Sequence, residues 1–546
     1  MSRPSADVLG TVDELHRQRV LDGIAPSSVW GVFDRDGLVA SGGHGDRGDG
    51  RAPDADTVYR IASCTKSVTA ATLLGLVADG LVSLDTPVTE FVPAFAAVRL
   101  PTADSPVPTL RMLLTMSAGF PTDDPWADRQ EALRDQDLDD VLRSGLLFDS
   151  VPGTGFAYSN LGYALLGRAV SVVAGAPFPT VATERVLRPL GLDDTVFAAA
   201  DARGLVVTGH RRVGDDWEAL TTTGPGAFSP IGGLFSTVRD LARWGRWLAA
   251  AFDGTAAPFA EGGSAGSDAG PLTTAERRAM QQAMRVLPPG TLPGSTRTAG
   301  YGFGLFVEHD PAVGPIVSHS GGYPGFSAHM RWSVTTGLGV VAFENATQAK
   351  VSAAATRALD LLLADAVPGV AVPHAVPAAT GMPVTRSRDD ERGPGSEPVL
   401  PSTRAAQRSV TRLLADWSDA EAGAVCAENV PLDVPWHRRR TAIDRAVAEV
   451  AADLSAPPVA ERSATPTHLR WWVPGARGRL RVEIRLAPLA SGLVQTLVVR
   501  AELDEVVPAE AAAVPAHTAA APTDPAAAPT DPAAAPTEPV APDPTA

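Results

Sequence analysis

Two residues three positions apart, Ser63 and Lys66, are the best candidates for chemistry in this sequence, in the segment Ser63-Cys64-Thr65-Lys66. Of the chain's 46 lysines and arginines, only Lys66 and Lys350 are lysines. A buried lysine can lose its proton, whereas an arginine stays charged in proteins. On a helix, positions i and i+3 share one face, about 5–6 Å apart at Cβ. The pair therefore predicts a serine nucleophile beside a lysine base; the alternative is an ordinary solvated lysine.

A second candidate group is Tyr158-Ser159-Asn160, which follows a turn at 152–155 and precedes a predicted helix. The chain has five tyrosines and three asparagines, so this tripeptide is a rare match. Acyl transfer needs a group that protonates the leaving group, and a phenol close to Lys66 can relay a proton. The alternative is a tyrosine packed on the core, with Asn160 capping the next helix.

The third group is His319-Ser320-Gly321-Gly322, after a predicted strand. Adjacent glycines at a strand edge let another backbone approach closely and expose amide groups. The pattern is weak on its own, because the same glycines are also typical of a hairpin turn.

The elements that must position these groups follow from hydrophobic periodicity. An apolar stretch at 64–79, ended by Gly80, predicts a buried helix that begins at Ser63. The N-terminal region predicts a helix at 8–23 and a hairpin at 29–40, and 110–250 reads as helices and loops. Further predicted strands are 301–307, 316–318, 327–332 and 339–343, followed by a helix at 351–365. We therefore expect a sheet built from both ends of this region, with helices inserted between them.

The rest of the chain divides by composition. We predict one large domain over 1–366 with a flexible insertion at 253–271, and a Pro/Gly-rich linker over 367–402. A small α+β domain over 403–506 has predicted helices at 404–418 and 440–454 and strands at 469–472, 480–486 and 494–501. Residues 507–546 form an Ala/Pro/Thr-rich tail that we expect to be disordered.

Composition restricts the class of function. The net charge of −16 argues against nucleic acid or an anionic membrane as a partner. Cys64 and Cys426 are too few for a disulfide framework, so we expect free thiols. We see no secretory signal, no membrane span and no His/Cys/carboxylate cluster with metal-ligand spacing. The expectation is a cytoplasmic protein that needs no metal or other cofactor.

In this order, the three groups resemble those of the penicillin-recognising serine hydrolases, a family of class C-type β-lactamases, DD-peptidases, D-aminopeptidases and related esterases. The resemblance covers about residues 8–366. It implies an α/β fold in which an antiparallel sheet flanked by helices is joined to an all-helical subdomain, with the site between them. Further matching segments are 60–63, 79–85, 113–119, 232–237 and 301–305.

The resemblance also implies roles for the site residues. Ser63 is acylated, and Lys66 and Tyr158 share the acid–base work. The substrate-binding positions are Asn160, which orients the substrate amide and Lys66, together with His319, Ser320, Gly321 and Gly322. The backbone amides of Ser63 and Gly322 form the oxyanion hole.

One departure from the family pattern bears on substrate choice. β-Lactamases of this type have a lysine where this chain has His319, and a neutral histidine holds a substrate carboxylate less well than an ammonium. We expect a serine hydrolase for a small ester, amide or D-amino-acid peptide. The alternatives are a weak β-lactamase or DD-peptidase, a ligand-binding or sensor module without turnover, and an interaction platform formed by the C-terminal unit. The sequence leaves the substrate and the oligomeric state open.

Overall fold

An eight-stranded antiparallel sheet forms the centre of the protein. The computed structural model describes residues 3–253, 270–288, 291–292, 295–370, 399–461 and 463–504. The strands are β1 (Ser27–Phe33), β2 (Leu38–Gly45), β3 (Tyr59–Arg60), β4 (Gly209–Val213), β5 (Asp216–Leu220), β6 (Phe235–Ser236), β7 (Arg285–Val286), β8 (Thr298–Tyr301), β9 (Phe306–Asp310), β10 (Gly314–Tyr323), β11 (Phe326–Ser333), β12 (Gly339–Glu344), β13 (Val459–Ala460), β14 (His468–Gly475), β15 (Gly478–Leu486) and β16 (Val494–Leu503).

Helices cover both faces of the sheet and form a separate helical region between β2 and β7. The helices are α1 (Ala6–Leu21), α2 (Thr65–Ala78), α3 (Leu110–Leu114), α4 (Asp124–Ala127), α5 (Asp135–Arg143), α6 (Asn160–Ala174), α7 (Phe178–Ala182), α8 (Ser229–Gly232), α9 (Val238–Ala249), α10 (Thr274–Met280), α11 (Ser352–Ala366), α12 (Pro401–Ala415), α13 (Asp419–Val425), α14 (Asn429–Asp433) and α15 (Trp436–Val450).

The strand order of the eight-stranded sheet is β2-β1-β12-β11-β10-β9-β8-β7. Strands from the two ends of the predicted domain at 1–366 meet in this sheet, because β1 pairs with β12 over the register Val29–Phe343 to Phe33–Gly339. On one face, Trp30, Ile316 and Val340 pack against α1 and α11. On the other face, Phe33, Val317 and Met330 belong to the core that also contains α2, α9 and the helical region. Burial on both faces explains why β1 is an uninterrupted apolar-rich strand. The predicted fold class is confirmed.

A second, four-stranded antiparallel sheet, β13-β14-β15-β16, lies in the C-terminal part of the chain. Alternate residues of β15 are buried, and Val482 and Ile484 pack with Trp471 of β14 and Val410 of α12 in a core of their own. Period-two burial of this kind is expected for a sheet covered on one face. The predicted α+β character of this part is confirmed, although α13 and α14 were not predicted.

The structure corrects three details. The predicted single strand 301–307 is wrong, because the chain reverses between β8 and β9, where Gly304 has a φ of 75°. The group His319–Gly322 lies within β10 and not after a strand, so its glycines do not form the hairpin turn. The hairpin β4–β5 was not predicted, since its strands carry charged and polar side chains.

Several predictions fall outside the described residues, wholly or for the most part: the insertion at 253–271, the linker at 367–402 and the tail at 507–546. The boundaries of the proposed domains remain predictions. In the described part of the chain, no single helix is long and apolar enough to cross a membrane; α6 and the helical segment 178–187 meet that test only as a pair bent by 78°.

Candidate active site

Ser63 lies in a single helical turn, Ala62–Cys64, that leads directly into α2. Ala62 has a φ of 47°, a left-handed conformation that costs a non-glycine residue roughly 1–2 kcal/mol. The turn is held from both sides, since the Ile61 amide donates to the Leu234 carbonyl at 2.9 Å and the Cys64 thiol contacts the His319 carbonyl. Ser63 is consequently partly exposed at the end of an otherwise buried helix.

Lys66 points back at Ser63, with Nζ 2.9 Å from Ser63 Oγ. The amine is fully buried and also donates to the Ile231 carbonyl at 2.7 Å. Burial disfavours the ammonium and lowers the Lys66 pKa from 10.5 to about 8, and the carboxylates of Asp124, Asp128 and Asp123 oppose the shift. A neutral amine here keeps one N–H for Ile231 and turns its lone pair to the serine hydroxyl.

Tyr158 completes this group from the segment before α6. Its phenol interacts with the Ser63 side chain, and its ring centroid lies 5.1 Å from Lys66 Nζ. Burial, together with the charge of Asp124, raises the Tyr158 pKa well above 10. The phenol therefore carries its proton at neutral pH.

Asn160 is buried at the start of α6, but it does not contact Lys66 through a hydrogen bond among the described residues. Its Nδ2 donates to Asp124 Oδ1 at 2.6 Å, and its Oδ1 is buried without a hydrogen-bond partner. The N-cap of α6 is Ser159, whose hydroxyl accepts from the Gly162 amide, so the alternative reading of Asn160 as the cap is wrong. The unpartnered oxygen leaves Asn160 able to accept a hydrogen bond from a substrate.

His319 is 1 % exposed and lies among the rings of Tyr158, Tyr301 and Phe306, at centroid distances of 6.1, 6.2 and 5.3 Å. Its Nδ1 is 2.7 Å from the Ser320 carbonyl, so Nδ1 carries the proton and Nε2 faces the Tyr301 hydroxyl at 3.3 Å. Burial and the nearby Lys66 lower the His319 pKa to about 3, so the ring is neutral at physiological pH.

The remaining residues of β10 alternate in exposure. Ser320 and Gly322 are exposed, whereas His319 and Gly321 are buried on the face that packs against the Ser63 turn. The Ser320 hydroxyl lies 2.9 Å from His329 Nδ1 on β11 and is not directed at Ser63. A Cβ on Gly321 would meet the Ile61 carbonyl oxygen at 2.1 Å, whereas a Cβ on Gly322 would enter open space. Glycine is thus required at position 321 for the strand to reach the turn.

Sequence reasoning missed an acidic segment beside Lys66. Asp123 is buried and anchors α6, accepting from the backbone amides of Asn160 at 2.7 Å and Leu161 at 2.9 Å. Asp124 and Asp128 act electrostatically on both Lys66 and Tyr158. Their signal in the sequence is two aspartates four positions apart in the loop at 119–135.

A buried ion pair fixes this loop to the segment 229–232, which contains the Ile231 carbonyl that accepts from Lys66. Arg60 Nη2 donates to Glu131 Oε2 at 2.7 Å, and Arg60 Nε donates to the Gly232 carbonyl at 3.0 Å. The Ser229 hydroxyl donates to the other Glu131 oxygen at 2.8 Å. Because Ile231 lies between Ser229 and Gly232, the ion pair also fixes the carbonyl that accepts from Lys66.

The C-terminal sheet contacts the same loop. Gln495 of β16 is 2 % exposed; its Oε1 accepts from the Trp126 amide at 3.2 Å and its Nε2 donates to the Thr122 carbonyl at 2.9 Å. Arg129 donates to Asp433 at 2.6 Å. The C-terminal part of the chain therefore holds the loop that carries the acidic segment.

Comparison with known proteins agrees with this geometry. A family model described as Beta-lactamase matches residues 12–365. The esterase EstB of Burkholderia gladioli is 30% identical over 341 residues, which cover 55% of this chain and 79% of EstB. The D-alanyl-D-alanine-carboxypeptidase/endopeptidase AmpH of Escherichia coli K12 is 30% identical over 209 residues, or 36% of this chain and 50% of AmpH. The chain thus spans about half the length of AmpH.

Solved structures share the fold at low sequence identity. The octameric penicillin-binding protein homologue from Pyrococcus abyssi superposes with a TM-score of 0.55 at 18% identity, covering 90% of this chain and 98% of that protein. The D-amino acid amidase from Ochrobactrum anthropi SV3 gives 0.52 at 23% identity, covering 66% and 99%. The family model and the likeness to EstB together place this chain in the β-lactamase family.

Proposed function

We propose that this protein is a serine hydrolase that works through an acyl-enzyme on small esters, amides or D-amino-acid peptides. The observation that carries the proposal is the buried Lys66 amine, 2.9 Å from the Ser63 hydroxyl. A serine is a weak nucleophile until an adjacent base takes its proton. A lysine with a pKa near 8 supplies that base at neutral to mildly alkaline pH.

The reaction has two halves. Ser63 Oγ attacks the substrate carbonyl carbon while its proton passes to Lys66 Nζ, and the bond to the leaving group breaks as that group receives a proton through Tyr158. Water then attacks the ester formed on Ser63 and gives a proton to the Lys66–Tyr158 pair. The bond to Ser63 Oγ breaks as the pair returns a proton to Oγ, which releases the acid and restores the serine. We propose that the backbone amides of Ser63 and Gly322 donate hydrogen bonds to the carbonyl oxygen and stabilise the negative charge that develops on it.

Because the Tyr158 pKa is raised, we assign the phenol as the donor to the leaving group and Lys66 as the first acceptor. Asn160 then receives an N–H donor of the substrate through its unpartnered Oδ1. His319 supports the aromatic wall around Tyr158 and stays neutral.

Neutral His319 also bears on the substrate. A β-lactam or a peptide C-terminus carries a carboxylate, and no lysine or arginine stands at 319–322 to hold it. We therefore favour esters and amides without a carboxylate next to the scissile bond. EstB is named as an esterase, whereas AmpH is named as a D-alanyl-D-alanine-carboxypeptidase/endopeptidase. Weak DD-peptidase or β-lactamase activity is therefore the second candidate.

The test is hydrolysis of p-nitrophenyl acetate and butyrate, together with labelling by a fluorophosphonate probe followed by intact mass. We expect turnover and one adduct on Ser63 in the wild type, and neither in Ser63→Ala. Ser41→Ala, an exposed serine on β2, is the matched control and should behave as the wild type. Binding of substrate without turnover or adduct in the wild type would instead indicate a sensor module.

A further inference from the structure

The carboxylates beside Lys66 outnumber the cations available to them. Asp124 and Asp128 lie four positions apart, at the start of α4 and just after its end, a spacing that places side chains on one face about 5–6 Å apart. Both act electrostatically on Lys66 and Tyr158. Asp124 is also joined by a hydrogen bond of 2.6 Å to Asn160, two residues after Tyr158.

The hydrogen-bond partners of the segment are unevenly distributed. Asp123 is satisfied by the amides at the start of α6. Asp124 receives one donor, Asn160 Nδ2. Asp128 receives no hydrogen bond and no ion pair from the residues that the structure describes. Asn160 Oδ1, on a fully buried side chain, is a further acceptor without a donor beside Asp124.

Three of the nearby cations have partners elsewhere. Lys66 donates to Ser63 and the Ile231 carbonyl, and Arg60 donates to Glu131 and the Gly232 carbonyl. Arg129 pairs with Asp433. Arg485 of β15 acts on Asp124 electrostatically but forms no ion pair with it within the described residues. Asp124 and Asp128 are half-buried, and carboxylates partly removed from water are costly without a paired cation, so each can still gain from one.

We infer that Asp124 and Asp128, with Asn160 Oδ1, form a subsite for a primary ammonium group on the substrate, close to the scissile carbonyl. An ammonium offers three N–H donors, which matches two carboxylates and an amide oxygen. A metal ion fits less well, because no group of three or more His, Cys, Asp or Glu in the described ranges is arranged to hold one. The inference rests on the proposed function and narrows its substrate class to amino acid esters or amides.

The electrostatics agree with an incomplete site. Burial raises the pKa of Asp124, because Lys66, Asn160 and Arg485 compensate the lost water only in part. Burial also raises the pKa of Asp128 well above its usual range, because Lys66 and Arg60 compensate only in part. A bound ammonium would favour the ionised carboxylates and recover part of that cost. Strand β10, which carries the neutral His319, has no lysine or arginine and so supplies no competing cation.

The test compares alanine methyl ester, in both enantiomers, with methyl propionate, which has the same carbon skeleton without the amine. In Asp128→Asn we expect kcat/KM for the better alanine ester to fall at least about tenfold more than for methyl propionate, mostly through KM. Asp128→Glu should recover part of the difference. Asp36→Asn, which removes an exposed carboxylate in the β1–β2 turn, is the charge control and should change neither substrate.

A second measurement needs no variant. Alaninol should inhibit wild-type hydrolysis of p-nitrophenyl acetate competitively, and 1-propanol at the same concentration should not. Equal inhibition by the two alcohols, or an equal loss on both methyl esters in Asp128→Asn, overturns the subsite. If Ser63-dependent hydrolysis of methyl propionate persists in that case, the hydrolase proposal survives; if no ester is hydrolysed and Ser63 is not labelled, the hydrolase proposal itself fails.

Discussion

Burial of a single amine determines the acid–base properties of this site. Lys66 has no exposed surface, and the resulting loss of water lowers its pKa to about 8, while the acidic segment prevents a deeper fall. At pH 7 most Lys66 side chains still hold a proton, and the fraction that can act as a base grows as the pH rises.

We therefore predict that the rate of Ser63 acylation rises with pH and levels off above about 8. The sign follows because only the neutral amine accepts the serine proton. The burst of p-nitrophenol in stopped flow, from about pH 6 to 9.5, measures this rate, with circular dichroism as a control for folding. A profile with its midpoint near 6.5 would point to a histidine, a result at odds with the neutral, buried His319.

Tyr158→Phe tests the proton donor. The variant keeps the ring that stacks on Phe306 at 6.3 Å, but it loses the hydroxyl. We expect kcat/KM for an alkyl ester to fall by about 10²–10⁴, the usual contribution of a general acid or base. A p-nitrophenyl ester should lose much less, because its leaving group departs without a proton. Equal losses on the two esters would assign Tyr158 a role other than the donor.

At the residue scale, the sequence predicted that Ser63, Lys66 and Tyr158 lie in one site. The first two share a helix face, and Tyr158 belongs to the rare tripeptide Tyr158-Ser159-Asn160. It did not predict that Asn160 Nδ2 would bond to Asp124, or that Ser320 would bond to His329. Those contacts depend on how the loop at 119–135 and strand β11 pack, which local spacing does not encode.

At the scale of elements, the site depends on how closely strand β10 approaches the Ser63 turn. The Gly321 backbone lies so near the Ile61 carbonyl that a Cβ would meet it at 2.1 Å. The sequence suggested that these glycines admit a substrate backbone. In the structure, Gly321 admits the protein's own backbone, and Gly322 faces open space. Neighbouring glycines thus have different roles that composition alone cannot separate.

Gly321→Ala should therefore lower the free energy of unfolding by about 1–3 kcal/mol, the usual cost of overpacking, and should move β10 away from the turn. Gly322→Ala is the matched control, because its new methyl group meets nothing within 4 Å, and we expect its stability to stay within about 0.5 kcal/mol of the wild type. Urea unfolding measures both. Equal stability of the two variants would contradict the close approach.

Prediction of elements succeeded where the hydrophobic period was long and clear, as in α1, α2, α11 and β15. It failed at 301–307, because the apolar run gave no sign that the chain reverses direction at Gly304. It also failed at β4–β5, because those strands are polar. In both cases the deciding fact was tertiary pairing: β8 with β7 and β9, and β4 with β5.

At the scale of the whole molecule, the C-terminal sheet contributes to the active site indirectly. Gln495 holds the loop at 119–135 through two hydrogen bonds to its backbone, and Arg129 ties the same loop to Asp433. These contacts join residues more than three hundred positions apart, which explains why the sequence suggested only an interaction platform for the C-terminal part. The contacts favour a role in positioning the loop beside the candidate site.

Gln495→Ala leaves the Trp126 amide and the Thr122 carbonyl without these partners, so we expect a loss of about 1–3 kcal/mol in the free energy of unfolding. Hydrogen exchange at 119–131 should accelerate, and kcat/KM should fall. Thr496→Ala, next along β16 and on its other face, is the control. Unchanged hydrogen exchange at 119–131 would show that the two hydrogen bonds of Gln495 do not hold this loop.

The central claim is that Lys66 takes the proton of Ser63, and the most direct measurement is the acylation rate of Ser63 in Lys66→Arg, followed by intact mass with a fluorophosphonate. Arginine keeps the charge and roughly the reach, but it does not accept a proton at any physiological pH. We predict that the arginine variant and Lys66→Ala both acylate at least about a hundredfold more slowly than the wild type. A folded arginine variant that acylates at a near-wild-type rate would contradict the claim and move the base to Tyr158.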